Sequence, residues 1–239
     1  MERLQKVIAN AGHSSRRKAE ELIQAGKVMV NDKVVTELGT KVSSNDKIVV
    51  EGILLQKDEL VYFLLNKPVN IISTTSDEKG RKCVTDLINT DTRIYPVGRL
   101  DYDASGLLLL TNDGDLTNRL LHPSNEVPKL YLVKVDGVVK GFDIIQMKKG
   151  IIIDGINCIP DRVKLKRVNK KSQTSVLEIT IHDGKTHEIK KLCASIGKKV
   201  IKLQRLTFGM LTIGGLNPGE YRRLTPKEVK VLYNEYKKQ

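Results

Sequence analysis

Four aspartates and an arginine crowd around one very apolar run. The stretch reads Gly98-Arg99-Leu100-Asp101-Tyr102-Asp103-Ala104-Ser105-Gly106-Leu107-Leu108-Leu109-Leu110-Thr111-Asn112-Asp113-Gly114-Asp115. Consecutive leucines seek burial, so Arg99 and Asp101 stand where a core segment emerges toward a cleft. A carboxylate in such a place needs a cation close by, or it takes up a proton. Three readings fit the residues. Asp101 can act as nucleophile or base in a cleft. Asp101, Asp103, Asp113 and Asp115 can bind magnesium as two Asp-x-Asp pairs. Or these aspartates only make turns and caps, as Asn112-Asp113-Gly114 suggests. Pattern alone favours the last.

The elements that must position these groups are mostly strands. Residues 61–65 form an apolar strand that ends at Asn66-Lys67-Pro68. Residues 129–135 alternate, with Leu130, Leu132 and Val135 set against Tyr131 and Lys134, and residues 176–181 do the same. Residues 186–196 carry Ile189, Leu192, Cys193 and Ile196 at helical spacing, with Gly197 following. Thr225-Pro226-Lys227-Glu228 is a capping box with proline at the first helical position. Helices scattered among strands imply α+β with a mixed or antiparallel sheet.

The N-terminal fifty residues read as a smaller unit. Leu4, Val7, Ile8 and Ala11 share one helical face, and Gly12 ends that helix. Ser14 and Ser15 cap a second helix with Ala19, Leu22 and Ile23 inward, which Gly26 stops. Short strands at 27–30, 34–35 and 46–50 complete it, and residues 51–60 read as a linker. The second helix opens with Arg16, Arg17 and Lys18, cations at the positive end of a helix dipole. An anion docking there would relieve the conflict.

Composition bounds the partners. The chain has 239 residues and a net charge of +13, which favours polyanions, nucleic acid first. Residues 161–205 hold 13 basic and 4 acidic side chains, the densest basic segment. With no tryptophan and 4% aromatic residues, charge and shape outweigh stacking in recognition. Cys83, Cys158 and Cys193 lie far apart without ligand spacing, which excludes a structural zinc site on pattern and suits a reducing cytoplasm. No apolar run approaches the ~18 residues of a membrane span, and the opening does not read as a signal peptide.

Two resemblances sharpen this reading. Arg3-Leu4-Gln5-Lys6, Ala11-Gly12, the run from Ser14 to Glu20 and that from Gly26 to Asn31 resemble the small RNA-binding domain named after ribosomal protein S-four. The central block around Asp101 resembles that of ribosomal RNA pseudouridine synthases of the small-subunit-A and large-subunit-B type. Four further blocks agree in order: Leu65-Asn66-Lys67-Pro68 with Ile71-Ile72-Ser73-Thr74, residues 128–133, residues 181–191 and residues 216–225. The opening Met-Glu-Arg-Leu-Gln-Lys-Val-Ile-Ala sides with the large-subunit type, and hence with 23S rather than 16S rRNA. Three departures stand out: Ala104 where threonine is usual, Asn70 for a common glycine, and lysine rather than arginine at Lys190.

The resemblance implies an RNA-binding domain over residues 1–59 and a synthase domain over residues 60–239, built on a mixed, mainly antiparallel sheet with flanking helices and a central cleft. It implies isomerisation of uridine to pseudouridine without cofactor or metal. Asp101 would be the catalytic carboxylate, through attack on sugar or base or removal of a sugar proton. Lys190 would keep it ionised, and Tyr131 would stack on the target base. Arg99 would hold the site that the extruded nucleotide leaves. Lys185, His187, Lys191, Lys198, Lys199 and Lys202 would contact phosphates, as would Arg16, Arg17 and Lys18 in the first domain. The expected partner is ribosomal RNA or a pre-ribosomal particle, met in the cytoplasm by a monomer. The rival is an RNA-binding assembly factor that performs no chemistry.

Overall fold

The computed structural model describes residues 1–236, which divide into two units. The smaller holds residues 1–61 with 90–94 and 112–114. Its helices α1 (Leu4–Asn10) and α2 (Arg16–Gln24) bury Leu4, Ile8, Ala19, Leu22 and Ile23 in one cluster. The Ser15 hydroxyl accepts from the Lys18 N–H and so satisfies a first-turn donor of α2. Strands β1 (Val28–Val30), β2 (Lys33–Val34), β3 (Ile48–Val50) and β4 (Ile53–Leu54) form a sheet in the order β2-β1-β3-β4. Asn31 and Asp32 adopt φ of 50° and 62° in the β1–β2 turn, a conformation their short polar side chains tolerate. The segment expected as a linker therefore contributes a strand: Ile53 pairs with Val50.

The larger unit is built on a nine-stranded sheet. Strands β5 (Tyr62–Lys67), β6 (Ala104–Thr111), β7 (Lys129–Asp136), β8 (Arg162–Asn169), β9 (Thr174–Ile181), β10 (Val200–Phe208) and β11 (Tyr221–Arg223) run in the order β8-β9-β7-β10-β6-β5-β11. Short strands Tyr95–Pro96 and Leu211–Thr212 join β6 and β10. Every pairing is antiparallel except β10 with β6. Helices α3 (Gly114–Leu121), α4 (Gly141–Lys148), α5 (Glu188–Ala194) and α6 (Pro226–Glu235) flank it. The expected α+β class with a mixed, mainly antiparallel sheet is what the chain forms.

The leucine run is β6, and Leu107 to Leu110 are all buried, as a strand covered on both faces requires. Leu107 and Leu109 join Leu64, Val97, Leu120 and Phe208 in the main core. Gly106 stands where β6 meets β10 in parallel, opposite Arg205. Its φ is 109°, and a Cβ there would run into the Arg205 backbone. Only glycine admits this approach, which gives the Ser105-Gly106 step its physical reason.

Candidate active site

Asp101 sits in the loop that feeds β6, and two neighbouring segments pin that loop by its backbone. Lys67, at the end of β5, is fully buried, and its Nζ donates to the carbonyls of Asp101 (3.0 Å), Ala104 (2.8 Å) and Pro68 (3.1 Å). The Ser73 hydroxyl donates to the Leu100 carbonyl at 2.8 Å and accepts from the Leu100 N–H at 3.1 Å. The Asn70 N–H donates to the Tyr102 carbonyl at 2.7 Å. Asn70 has φ 63°, so the residue that departs from glycine still supplies the left-handed turn. Leu100, Asp101 and Tyr102 are thus held at successive carbonyls.

The Asp101 side chain meets α5. Lys190 Nζ lies 2.9 Å from Asp101 Oδ2 and 2.7 Å from Asp103 Oδ1. Burial works against the Lys190 charge, but the two carboxylates outweigh it and hold its pKa above the ordinary lysine range. The hydrogen bond from Lys190 in turn holds Asp103 below the usual carboxylate range. His187 Nε2 stands 3.6 Å from Asp101 Oδ1, beyond hydrogen-bonding distance. These groups border a cleft of about 180 Å³ in the larger unit. Tyr131, on β7, is buried in its wall, with Ile179 and Arg205 as cross-strand neighbours.

The magnesium reading fails on distance. Asp101 and Asp103 precede an eight-residue strand and Asp115 follows it, which puts the two pairs about 26 Å apart at the usual strand rise. The metal-sized cluster among the described residues is instead Cys158, Asp183 and Glu188. There the Glu188 carboxylate already accepts from the N–H groups of Gly184 and Lys185.

Of the other expected contacts, Arg99, Lys185 and His187 line the cleft. Arg99 is exposed and has no side-chain hydrogen bond or ion pair among the described residues. Lys191, Lys198, Lys199 and Lys202 lie outside the cleft wall. Lys202 faces Lys134 directly across β10 and β7. Like charges placed opposite each other destabilise a sheet unless an anion joins them. Arg16, Arg17 and Lys18 are exposed on the first turn of α2, with Lys18 paired to Glu21 at 2.9 Å.

Comparison with known proteins gives this geometry its context. Residues 61–195 match the RNA pseudouridylate synthase family, and residues 2–48 match the S4 domain. The chain belongs to the RNA pseudouridine synthases. It is 52% identical to ribosomal large subunit pseudouridine synthase B of Bacillus subtilis (strain 168), over 97% of this chain and 96% of that protein. It is 38% identical to the dual-specificity RNA pseudouridine synthase RluF of Salmonella typhi, over 97% and 78% of the two chains. A crystal structure of a pseudouridylate synthase superposes with a TM-score of 0.68 at 29% identity, covering 97% of this chain and 100% of the other.

Three residues of this pseudouridine synthase escape sequence reasoning as site components. Lys67 and Ser73 lie in one of the blocks that carry the resemblance, yet nothing in their spacing says that they clamp the loop some thirty residues on. Arg205 reads as one more charge of the basic segment, but it is 3% exposed in the cleft wall. The usable signal for Lys67 is its place at the end of the apolar Tyr62-Phe63-Leu64-Leu65 strand, where a buried cation needs carbonyl acceptors.

Proposed function

We propose that this enzyme isomerises a specific uridine of large-subunit ribosomal RNA, with Asp101 as the reacting carboxylate. The observation that carries the reading is the Asp101–Lys190 contact, set on a pinned loop in one cleft with Tyr131. The N1–C1′ bond of the target breaks, the base turns, and C5 bonds to C1′. The proton on C5 leaves and N1 takes one up, so the product is an isomer. Lys190 pairs with the Asp101 carboxylate, Tyr131 packs on the base, and Arg99 holds the vacated stack. An extruded nucleotide costs a few kcal/mol, which phosphate contacts offset. Lys185, His187, Lys191, Lys198, Lys199 and Lys202 supply these in the synthase domain over residues 60–239. Arg16, Arg17 and Lys18 supply them in the domain over residues 1–59. Kinship with the Bacillus large-subunit enzyme supports 23S over 16S rRNA as substrate. All the proposed catalytic groups lie on one chain, in keeping with a monomer that meets its rRNA or pre-ribosomal particle in the cytoplasm.

The test is pseudouridine formation in 23S and 16S rRNA fragments by wild type and Asp101→Asn. Wild type should modify one site in 23S fragments. The variant should bind as tightly and form none, because an amide is neither nucleophile nor base. A variant that keeps a tenth of the rate moves the chemistry to another residue. A wild type that binds without converting any fragment is the non-catalytic assembly factor.

A further inference from the structure

The cleft wall holds a buried donor with nothing to donate to. Arg205 projects from β10, between Tyr131 on β7 and Gly106 on β6. Its Nε donates to the Leu107 carbonyl at 2.7 Å, and its guanidinium lies 5.2 Å from the centre of the Phe208 ring. Its Nη2 is buried and has no hydrogen-bond partner among the described residues. An orphaned buried donor costs about 1–3 kcal/mol, more when charged, so its persistence asks for a partner in another state of the protein.

The neighbouring cations cannot take its place. Lys67 gives its protons to three carbonyls, and Lys129 gives its own to the carbonyls of Val127, His182 and Asp183. Burial is the main cause that pushes both lysines down to about 8, and the Arg205 charge adds to it. Among these three buried cations, Arg205 alone keeps an uncommitted donor, and Arg205 is part of the wall of the cleft that holds Asp101 and Tyr131.

Resting on the proposed reaction, we infer that Arg205 Nη2 donates to a carbonyl oxygen of the target uracil and stabilises the charge that the base acquires when it leaves the sugar. When the N1–C1′ bond breaks heterolytically, its electron pair stays with the base and spreads over O2 and O4. Should Asp101 instead add to the ring, the pair displaced from the double bond also ends on a carbonyl oxygen. C5 later gives a pair to C1′ and loses its proton, and N1 takes up a proton. Either route leaves transient negative charge on the uracil oxygens. A fixed guanidinium in a water-poor wall meets that charge without reorganising.

The experiment compares single-turnover rates at saturating RNA for wild type and Arg205→Met, with RNA affinity and thermal melting measured alongside. Substrates carry uridine, 2-thiouridine or 4-thiouridine at the target, since sulfur accepts hydrogen bonds weakly. Arg205→Met should slow uridine conversion about 10²–10³-fold while affinity stays within about threefold. One thio-substitution should slow wild type and add little in the variant, because both changes remove the same contact. A variant rate within threefold of wild type would overturn the inference, as would equal thio effects in both proteins. If Arg205→Met melts early, wild type decides: slowing by one thio-substitution upholds the contact, and indifference to both removes it. Wild type that forms no pseudouridine in any fragment overturns the proposed function, and this contact with it.

Discussion

Lys190 joins two carboxylates that lie two residues apart, reaching Asp101 at 2.9 Å and Asp103 at 2.7 Å from a helix 87 positions further along the chain. In the proposed reaction Asp103 is the anchor and Asp101 the working group. Asp103 is the more exposed of the two, and its contact holds the ammonium beside Asp101. A lysine suffices for this geometry because each carboxylate receives a single contact, and no bidentate fork is called on.

Lys190→Met should therefore cost far more than Lys190→Arg. Methionine leaves Asp101 and Asp103 without a cation between them, and Asp103 loses the bond that holds its carboxyl below the usual range. Single-turnover rate at neutral pH should fall on the order of a hundredfold, the scale of losing one preorganised charge, and recover in part as pH rises. Arginine should keep most of the rate. A wild-type rate and pH profile in Lys190→Met would detach Lys190 from Asp101 in the reaction.

How much of this was legible follows from where each signal resides. Local rules carried the Ser15 cap, the Thr225 capping box and the existence of strands β7 and β9, because caps and pleats depend on near neighbours. The faces of β7 came out differently, since Tyr131 is buried with Val133 and Val135 while Leu130 and Leu132 are partly exposed. The Asp101 block was legible as a resemblance, while its residues alone favoured turns and caps. What stayed hidden depends on contacts between distant segments: the Lys67 and Ser73 clamp on Leu100 and Asp101, and the burial of Arg205. Charge counting also overstated the basic surface of residues 161–205. Arg205 is internal, Lys190 is matched by two aspartates, and Lys166 pairs with Glu178 at 3.0 Å.

The remaining lysines of that segment make a measurable claim on RNA. Lys199 and Lys202 are exposed, Lys198 is partly so, and Lys202 opposes Lys134 across the sheet. Changing Lys198, Lys199 and Lys202 to glutamine together should flatten the plot of log affinity against log salt by about two units, at roughly 0.7 to 0.9 per phosphate contact. An unchanged slope would make them solvated surface charges.

The C-terminal block gives an acid limit. Arg222 grips Glu228 with two bonds, Nη1 to Oε2 at 2.9 Å and Nη2 to Oε1 at 2.7 Å, and Thr225 donates through its N–H and hydroxyl. The Arg222 bond, opposed by burial, holds Glu228 at about 2 against an ordinary 4.5. A lowered carboxylate stabilises the fold above its unfolded pKa and loses that contribution as pH falls through the folded one. Stability should drop between pH 4.5 and 2. Glu228→Gln should cost about 1–2 kcal/mol at pH 7, discounted because Arg222 is partly solvated, and should flatten that acid limb in urea titrations. A limb as steep as wild type would assign it to other carboxylates.

Lys67 gives the opposite, alkaline, dependence. Burial pushes its pKa from 10.5 down to about 8. Between those values the folded protein binds fewer protons than the unfolded chain, so this group makes stability rise with pH. Its charge costs roughly 3 kcal/mol at neutral pH on that net shift, with its three carbonyl bonds in place. A neutral amine has only two protons for the three carbonyls, so the loop at Asp101 loosens while the fold gains. Catalytic rate should thus decline above about pH 8 with no matching fall in melting temperature. Lys67→Met removes the titrating group and orphans the carbonyls. It should lower the rate about a hundredfold through misplacement of Asp101, leave RNA affinity unchanged, and show no alkaline decline. If the decline persists in Lys67→Met, another group sets it, and Lys129, with the same lowered value of about 8, is the next to test.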